Sequence, residues 1–422
     1  MSRVPYQVLR HADYRRLAVS QGVSLIGTQM QVAAINWHVY LLTGEPLALG
    51  TLGLTRVLPL ILFSLWGGIV ADRHDRKRVI FLAQSGMTLL AAVLAWSTWT
   101  GRDALWLLYA INGLSAIASA FDNPARQALL PRLVPSKELT GALSLNLSAF
   151  NFATIAGPAL AGLLLAGSKV DSLQGRDGLA LIYVINSISF LGVLISVLRI
   201  RASGAVDHAA NGALPFFASL REGLQFVFTT PIMTATMALD FFATFFAGSL
   251  LLLPIVADQI LGVGVRGYGF LAAAPAVGAL LGSLYTSLRP LPKHQGPVLL
   301  IAVVVYGAAT IVVGLSTSFL LTLLALGVSG LADVISTVIR QTLRQLLTPD
   351  ALRGRMTSIN MIFFQGGPQL GEMEAGLVAQ ALPPPAFGTS VSITIGGVLT
   401  VLTAVVIDRL APYVRGYRPP ES

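Results

Sequence analysis

Long apolar runs alternate with short polar intervals along the whole chain, and the length of the runs carries the first information. A helix needs roughly 20 apolar residues to cross the hydrocarbon core of a bilayer. Twelve runs meet that demand, at 17–42, 48–71, 79–100, 104–130, 141–167, 179–200, 231–257, 267–288, 297–316, 319–347, 354–381 and 388–410. A backbone facing lipid must satisfy its own hydrogen bonds, and these runs are too long and too uniformly apolar for barrel strands. All twelve are therefore predicted to be transmembrane helices. The first fifteen residues are polar, with Arg10, His11, Arg15 and Arg16 beside the first run, so no cleavable signal is expected.

Composition agrees. Hydrophobic residues make up 54% of the 422 and charged residues only 11%, against about 25% charged in an ordinary soluble domain. The net charge of +9 raises the possibility of a nucleic-acid partner, but its distribution removes it. With both termini on one side, the loops of that side hold 23 of the 28 Lys and Arg, the opposite loops hold Arg102, Lys169, Arg176 and Arg266, and Arg56 lies within a run. The positive-inside rule then places both termini in the cytoplasm. With no cysteine, the chain has no disulfide, thiolate metal site or cysteine nucleophile.

The chain reads as two halves. A small polar stretch, "RASGAVDHAANGAL" (201–214), follows the sixth run, and "PFFASLREGLQFVFTT" after it reads as an amphipathic helix at the membrane interface. The expected domains are an N-terminal six-helix bundle (1–200), a cytoplasmic linker with its amphipathic segment (201–230) and a C-terminal six-helix bundle (231–422). A shift of 214 residues aligns 126–163 with 340–377 without a gap at 12 identities in 38 positions, among them Arg126/Arg340, Gln127/Gln341, Pro135/Pro349, Asn146/Asn360 and Gly157/Gly371. Matches of Arg, Gln, Pro and Asn at one fixed offset are not a product of general apolarity. Six helices per repeat leave both copies in the same orientation, one of the designs of secondary transporters.

Between the second and third runs lies "GGIVADRHDRKRVI" (67–80), six charges and a histidine within seven residues against an apolar run. Gly68, Asp72, Arg73, Arg76, Lys77 and Arg78 there resemble the loop signature of the major facilitator superfamily. The second half keeps Gly282 but has Thr286 in place of the acid. Glycines let helices approach, and an acid at a helix end can face the positive N-terminus of another helix, here expected to be the eleventh. Asp72 is thus expected to act as a cytoplasmic latch, with Arg73 and Arg76 organising nearby acids, Asp122 above Arg126 first among them. Together "LALGTLGLTRVLPLILFSLWGGIVADRHDRKRVI", "AFDNPARQALLPRLVP" and "QLLTPDALRGRMTSIN" resemble the branch that includes the enterobactin exporter and macrolide-efflux-type proteins. The resemblance implies an all-α fold of two pseudo-symmetric six-helix bundles, a monomer, a bacterial inner-membrane location, and efflux of siderophores or macrolide-like compounds.

Ionisable groups at membrane depth are costly and mark function by default. Asp240 in "TMALDFFATFF" and Asp333 in "SGLADVIST" are candidates for proton coupling, as are Glu372 and Glu374 in "GPQLGEMEAG", which stand about 200° apart on a helix and cannot share one cavity. Structural pairing of Asp240 with a neighbouring helix is an equal alternative. Gln29, Asn36 and Trp37 on the first helix and Arg56 on the second are candidates for the substrate cavity; helix–helix hydrogen bonding is the alternative for the amides, and an acidic partner for Arg56. His38 reads as an ordinary interfacial histidine.

No GxxxxGK[ST] loop is present to hold ATP, no zinc spacing among the five histidines, and no GxSxG. Enzymatic activity, metals and cofactors are not expected. The reading is a proton-coupled exporter of amphipathic small molecules, whose partners are substrate, protons and membrane lipid. Its rivals are an importer or facilitator of a metabolite, and a non-transporting scaffold or sensor.

Overall fold

The computed structural model describes residues 5–167, 176–205, 225–288, 294–349 and 353–417. Most of the expected linker 201–230, with residues 215–224 of its amphipathic segment, lies outside the described residues. Each apolar run is helical: α1 (Ala12–Thr43), α2 (Pro46–Arg73), α3 (Arg76–Trp99), α4 (Leu105–Leu129), α5 (Leu139–Gly167), α6 (Arg176–Arg199), α7 (Pro231–Phe246), α8 (Gly264–Leu288), α9 (Gln295–Leu315), α10 (Phe319–Leu347), α11 (Arg353–Gln380) and α12 (Pro385–Leu410). No strand occurs among the described residues. Among the described residues ten spans are long and apolar enough to cross a membrane, one of them α7 together with the turns that follow it to Ile260. The other two, α1 and α11, are diluted by polar positions such as Gln29, Gln31 and Asn36, or Gln369, Glu372 and Glu374.

The sequence dictates where α3 starts. Asp75, the second acid of the 67–80 stretch, accepts hydrogen bonds from the amides of Lys77 (2.9 Å) and Arg78 (3.1 Å). It caps α3 and satisfies donors that the first turn leaves without partners.

Cα packing divides the chain into two compact units, one of residues 1–43, 55–209 and 264–273, the other of 44–54, 210–263 and 274–422. In the first, Tyr14, Leu17, Ile80, Leu129 and Val193 lie in one buried cluster. In the second, Leu239, Leu299, Val303, Ile339 and Ala404 do the same. Glycines set how closely the helices approach, as expected where lipid gives no hydrophobic drive for association. A Cβ on Gly330 would overlap the carbonyl of Pro275, and one on Gly371 the carbonyl of Phe245.

One expected helix is interrupted. The run 231–257 reads as continuous, but α7 ends at Phe246, residues 247–249 leave the helix, and a 3₁₀ turn (Leu250–Leu252) and a π turn (Val256–Ile260) follow. The break falls at Gly248, where a Cβ would lie 2.7 Å from the carbonyl of Pro368 on α11. Non-helical backbone at membrane depth is tolerated where protein buries it or where it lines a cavity.

Candidate functional site

The second unit holds a cluster of buried charges. Asp240 on α7 is 7% exposed and Arg340 on α10 is 5% exposed, and their Oδ1 and Nη2 meet at 2.7 Å. The guanidinium also donates to Ser336 Oγ (2.7 Å) and Thr337 Oγ1 (2.9 Å) on its own helix. Charges taken out of water need pairing and hydrogen bonding to be tolerated, and this arginine has an ion pair and two hydroxyl acceptors. Arg344, one turn on, lies in the fields of Asp240 and Arg340. Asp333 stands seven residues before Arg340 and so on the same helical face, within the fields of Arg340 and Asp240. Tyr306 of α9 feels all three.

Asp333 and Tyr306 line a cavity of about 120 Å³, together with Thr310, Ser329 and the unwound Ala247 and Ser249. That volume holds several waters, and the hydroxyl and carboxyl groups give them partners. An interrupted helix beside an acid at membrane depth is how many transporters build an ion site. Of the four acids expected to couple protons, the structure therefore brings Asp240 and Asp333 into one cluster. It leaves the other two on α11, both half-buried. Glu372 packs against α2, where a Cβ on Gly53 would lie 2.7 Å from its Oε2.

The equivalent cluster in the first unit is arranged differently. Asp122 is 1% exposed and pairs with Arg126, one turn away on α4, while accepting a hydrogen bond from Gln84 Nε2 at 3.1 Å. The expected pairing of Asp122 with Arg73 and Arg76 is not formed. Arg73 is exposed, and Arg76 donates to the carbonyl of Ala128 at 2.9 Å, because α3 starts beside the end of α4. Gly68 has open space around it, and its neighbour Gly67 makes the close approach, against the carbonyl of Ala120. The side chain of Asp72 lies outside what the structure describes. By the 214-residue repeat Arg340 occupies the place of Arg126, and Ser336 that of Asp122. The cation is kept, and its acid comes from α7 instead of from its own helix.

The α1 candidates are packed. Trp37 is 2% exposed and stacks on Tyr268 with ring centroids 5.4 Å apart, so it is enclosed rather than open to a cavity. Asn36 hydrogen-bonds Tyr268, and Gln29 fills the space left by Gly157. The neighbouring Gln31 accepts from Asn186 Nδ2 at 2.8 Å. These are the helix–helix contacts available to amides on an apolar helix. Arg56 is exposed on α2.

His38 is not an ordinary interfacial residue. It is 1% exposed, with Nε2 2.8 Å from Asp103 Oδ2 and Nδ1 3.1 Å from the Tyr183 hydroxyl. Arg176 reaches the other oxygen of Asp103 at 3.4 Å, beside Gly101, whose φ of +67° and missing side chain leave room for the guanidinium. An ionised carboxylate only accepts, so Nε2 carries the proton. Asp103 lies in the turn between α3 and α4. Burial by itself raises its carboxyl, but the His38 hydrogen bond, its own backbone N–H and the charges of His38 and Arg176 outweigh that and hold it below the ordinary 3.8. The stability it contributes is complete above the ordinary carboxylate value and is lost as pH falls through the depressed native one. Asp103→Asn, which keeps the shape and removes the charge, should lower unfolding stability by about 1–3 kcal/mol, read as a lower melting temperature in detergent at pH 7, with the difference from the unsubstituted protein shrinking towards pH 3. An unchanged melting temperature at pH 7 would show that the cluster does not hold this end of the unit together.

The chain matches the family described as transmembrane secretion effector over residues 3–412. It is 26% identical to a staphyloferrin A transporter of Staphylococcus aureus over 61% of this chain and 63% of that protein, so the match spans less than two thirds of that relative. It is 23% identical to the enterobactin exporter of Escherichia coli over 94% of this chain and 93% of that one. Among solved structures, a bacterial homologue of the lysosomal transporter Spinster, inward-facing and occupied, superposes with a TM-score of 0.72 at 17% identity, covering 98% of this chain and 99% of that chain. A D-xylose–proton symporter superposes with a TM-score of 0.73 at 14% identity, covering 97% and 100%. The all-helical fold and a family match over nearly the whole length agree: the chain belongs to the transmembrane secretion effector family, membrane transporters of the major facilitator superfamily.

Proposed function

We propose that this transporter is a proton-coupled exporter of amphipathic small molecules, siderophores or macrolide-like compounds, working by alternating access as a monomer of two six-helix bundles (1–200 and 231–422, joined by 201–230) in a bacterial inner membrane with both termini cytoplasmic. The observation that carries it is the cluster of Asp240, Asp333 and Arg340 beside a cavity at the break after α7. Arg340 is ion-paired to Asp240, Asp333 has no ion pair among the described residues and faces the cavity, and a proton is the smallest way to neutralise a carboxylate at that depth. Asp240 already holds Arg340, so the proton belongs on Asp333. Loss of that proton gives Arg340 a second acid to answer, which biases the packing of α10 against α7. Glu372 and Glu374 remain secondary candidates, and Gly68, Asp72, Arg73, Arg76, Asp122 and Arg126 the cytoplasmic gate.

The staphyloferrin A transporter and the enterobactin exporter among the relatives support the substrate class. The test is intracellular retention of a panel of siderophores, macrolides and dyes in efflux-deficient cells producing this protein. Lower retention of at least one compound, restored by a protonophore, is expected. Retention that falls but ignores the protonophore would remove proton coupling, and accumulation of a compound would reverse the direction.

A further inference from the structure

Two grooves flank the end of α6 that lies near the N-terminal segment. Between α6 and α1, Arg15, Arg16 and Arg199 rim a groove of about 370 Å³ whose wall includes Val19 and Ile195. Between α6 and α3, Lys77, Arg78 and Arg201 rim one of about 540 Å³ over Leu82 and Leu198. We propose that this end of α6 binds anionic phospholipid, the phosphates taken by the arginines and the acyl chains lying on the apolar walls.

Not all of these cations are available. Arg16 donates to the carbonyl of Arg199 (3.2 Å) and Lys77 to that of Ile200 (2.6 Å), capping the last turn of α6. The nearby acids are also engaged: Asp13 accepts from the amides of Arg201 and Ala202 and pairs with Arg16, and Asp75 caps α3. Arg78, Arg199 and Arg201 are exposed, and none has an acidic partner among the described residues. Three uncompensated arginines around one helix end therefore face outward.

The walls beneath them decide the source of the anion. Leu82 is 70% exposed, Leu198 68%, Val19 60% and Ile195 50%. A nucleic acid or a free phosphate arriving from water would leave that surface uncovered, whereas a phospholipid places charge and chain in the order the grooves present them. Basic pockets between transmembrane helices on the cytoplasmic side recognise anionic headgroups in this way. The leaflet follows from the positive-inside orientation, and the site itself does not depend on export or proton coupling.

The purified full chain in neutral detergent is titrated with phosphatidylglycerol, phosphatidylcholine or soluble glycerol 3-phosphate, with melting temperature and lipid retained in native mass spectrometry as readouts. Phosphatidylglycerol should stabilise and be retained where phosphatidylcholine is not. R78Q/R199Q/R201Q should weaken the phosphatidylglycerol response at least about ten-fold, leaving stability in phosphatidylcholine unchanged. The lysine triple R78K/R199K/R201K should restore most of the response, and R266Q, an exposed cation at the other end of the chain's helices, should not alter it. If the glutamine triple does not fold, the three single substitutions are each expected to weaken the response. Equal protection by glycerol 3-phosphate, or a response in the folded variants within about two-fold of the unsubstituted protein, would overturn the proposal.

Discussion

Arg340→Gln is expected to remove about 3–5 kcal/mol of stability, the cost of stripping one partner from a buried ion pair. Asp240 is 7% exposed and its Oδ1 meets Arg340 Nη2 at 2.7 Å, so the substitution leaves a carboxylate inside the helical packing without its ion-pair partner. Ser336 and Thr337, which now accept from the guanidinium, lose their donors as well. Asp240→Asn is expected to cost less, because Arg340 keeps those two hydroxyls. The double substitution removes both charges and should recover most of the loss, leaving a coupling energy of about 2–3 kcal/mol in the cycle. Thermal unfolding of the four purified proteins in detergent measures it. If Arg340→Gln costs under about 1 kcal/mol, the pair behaves as a solvated one and its place in the coupling site falls with it.

The pairing also shows what sequence can and cannot reveal. Eleven of the twelve apolar runs become continuous helices and the seventh an interrupted one, because bilayer thickness demands that length and no tertiary detail enters. The importance of Arg340 was legible in the repeat, which aligns it with Arg126. Its partner was not, since Asp240 and Arg340 are a hundred residues apart and nothing in either local stretch names the other. The break after α7 was hidden for a related reason: "FFAGSLLLLP" is apolar but for Ser249, and the close approach of the Pro368 carbonyl to Gly248 comes from a helix more than a hundred residues away. Trp37 read as a ligand-facing aromatic because helical periodicity cannot say whether a polar stripe meets a cavity or another helix, and here it meets Tyr268. His38, Asp103 and Arg176 come from three separate places along the chain, only Arg176 among them counted as a loop charge, and nothing local joins them.

Asp333→Asn carries the largest functional effect. The amide mimics the protonated acid, and it lines a cavity with room for several waters rather than sitting in an ion pair, so the variant should fold like the unsubstituted protein. One charge moved through a potential of 100 mV supplies about 2.3 kcal/mol, which sustains a concentration ratio of about 40-fold. A protein that exchanges one proton per substrate reaches a ratio of that order; the variant, locked in the proton-loaded charge state, should equilibrate substrate to a ratio near one and should no longer respond to a protonophore. Exchange of labelled for unlabelled substrate in proteoliposomes should persist, because that half-reaction needs no change of protonation. Loss of both exchange and accumulation would instead make Asp333 a residue of the transport path itself. Full accumulation would move the proton elsewhere, to Glu372 or Glu374 on α11. On the proposed reading one proton per cycle is expected, because Asp240 is held in an ion pair with Arg340 while Asp333 faces the cavity without one among the described residues.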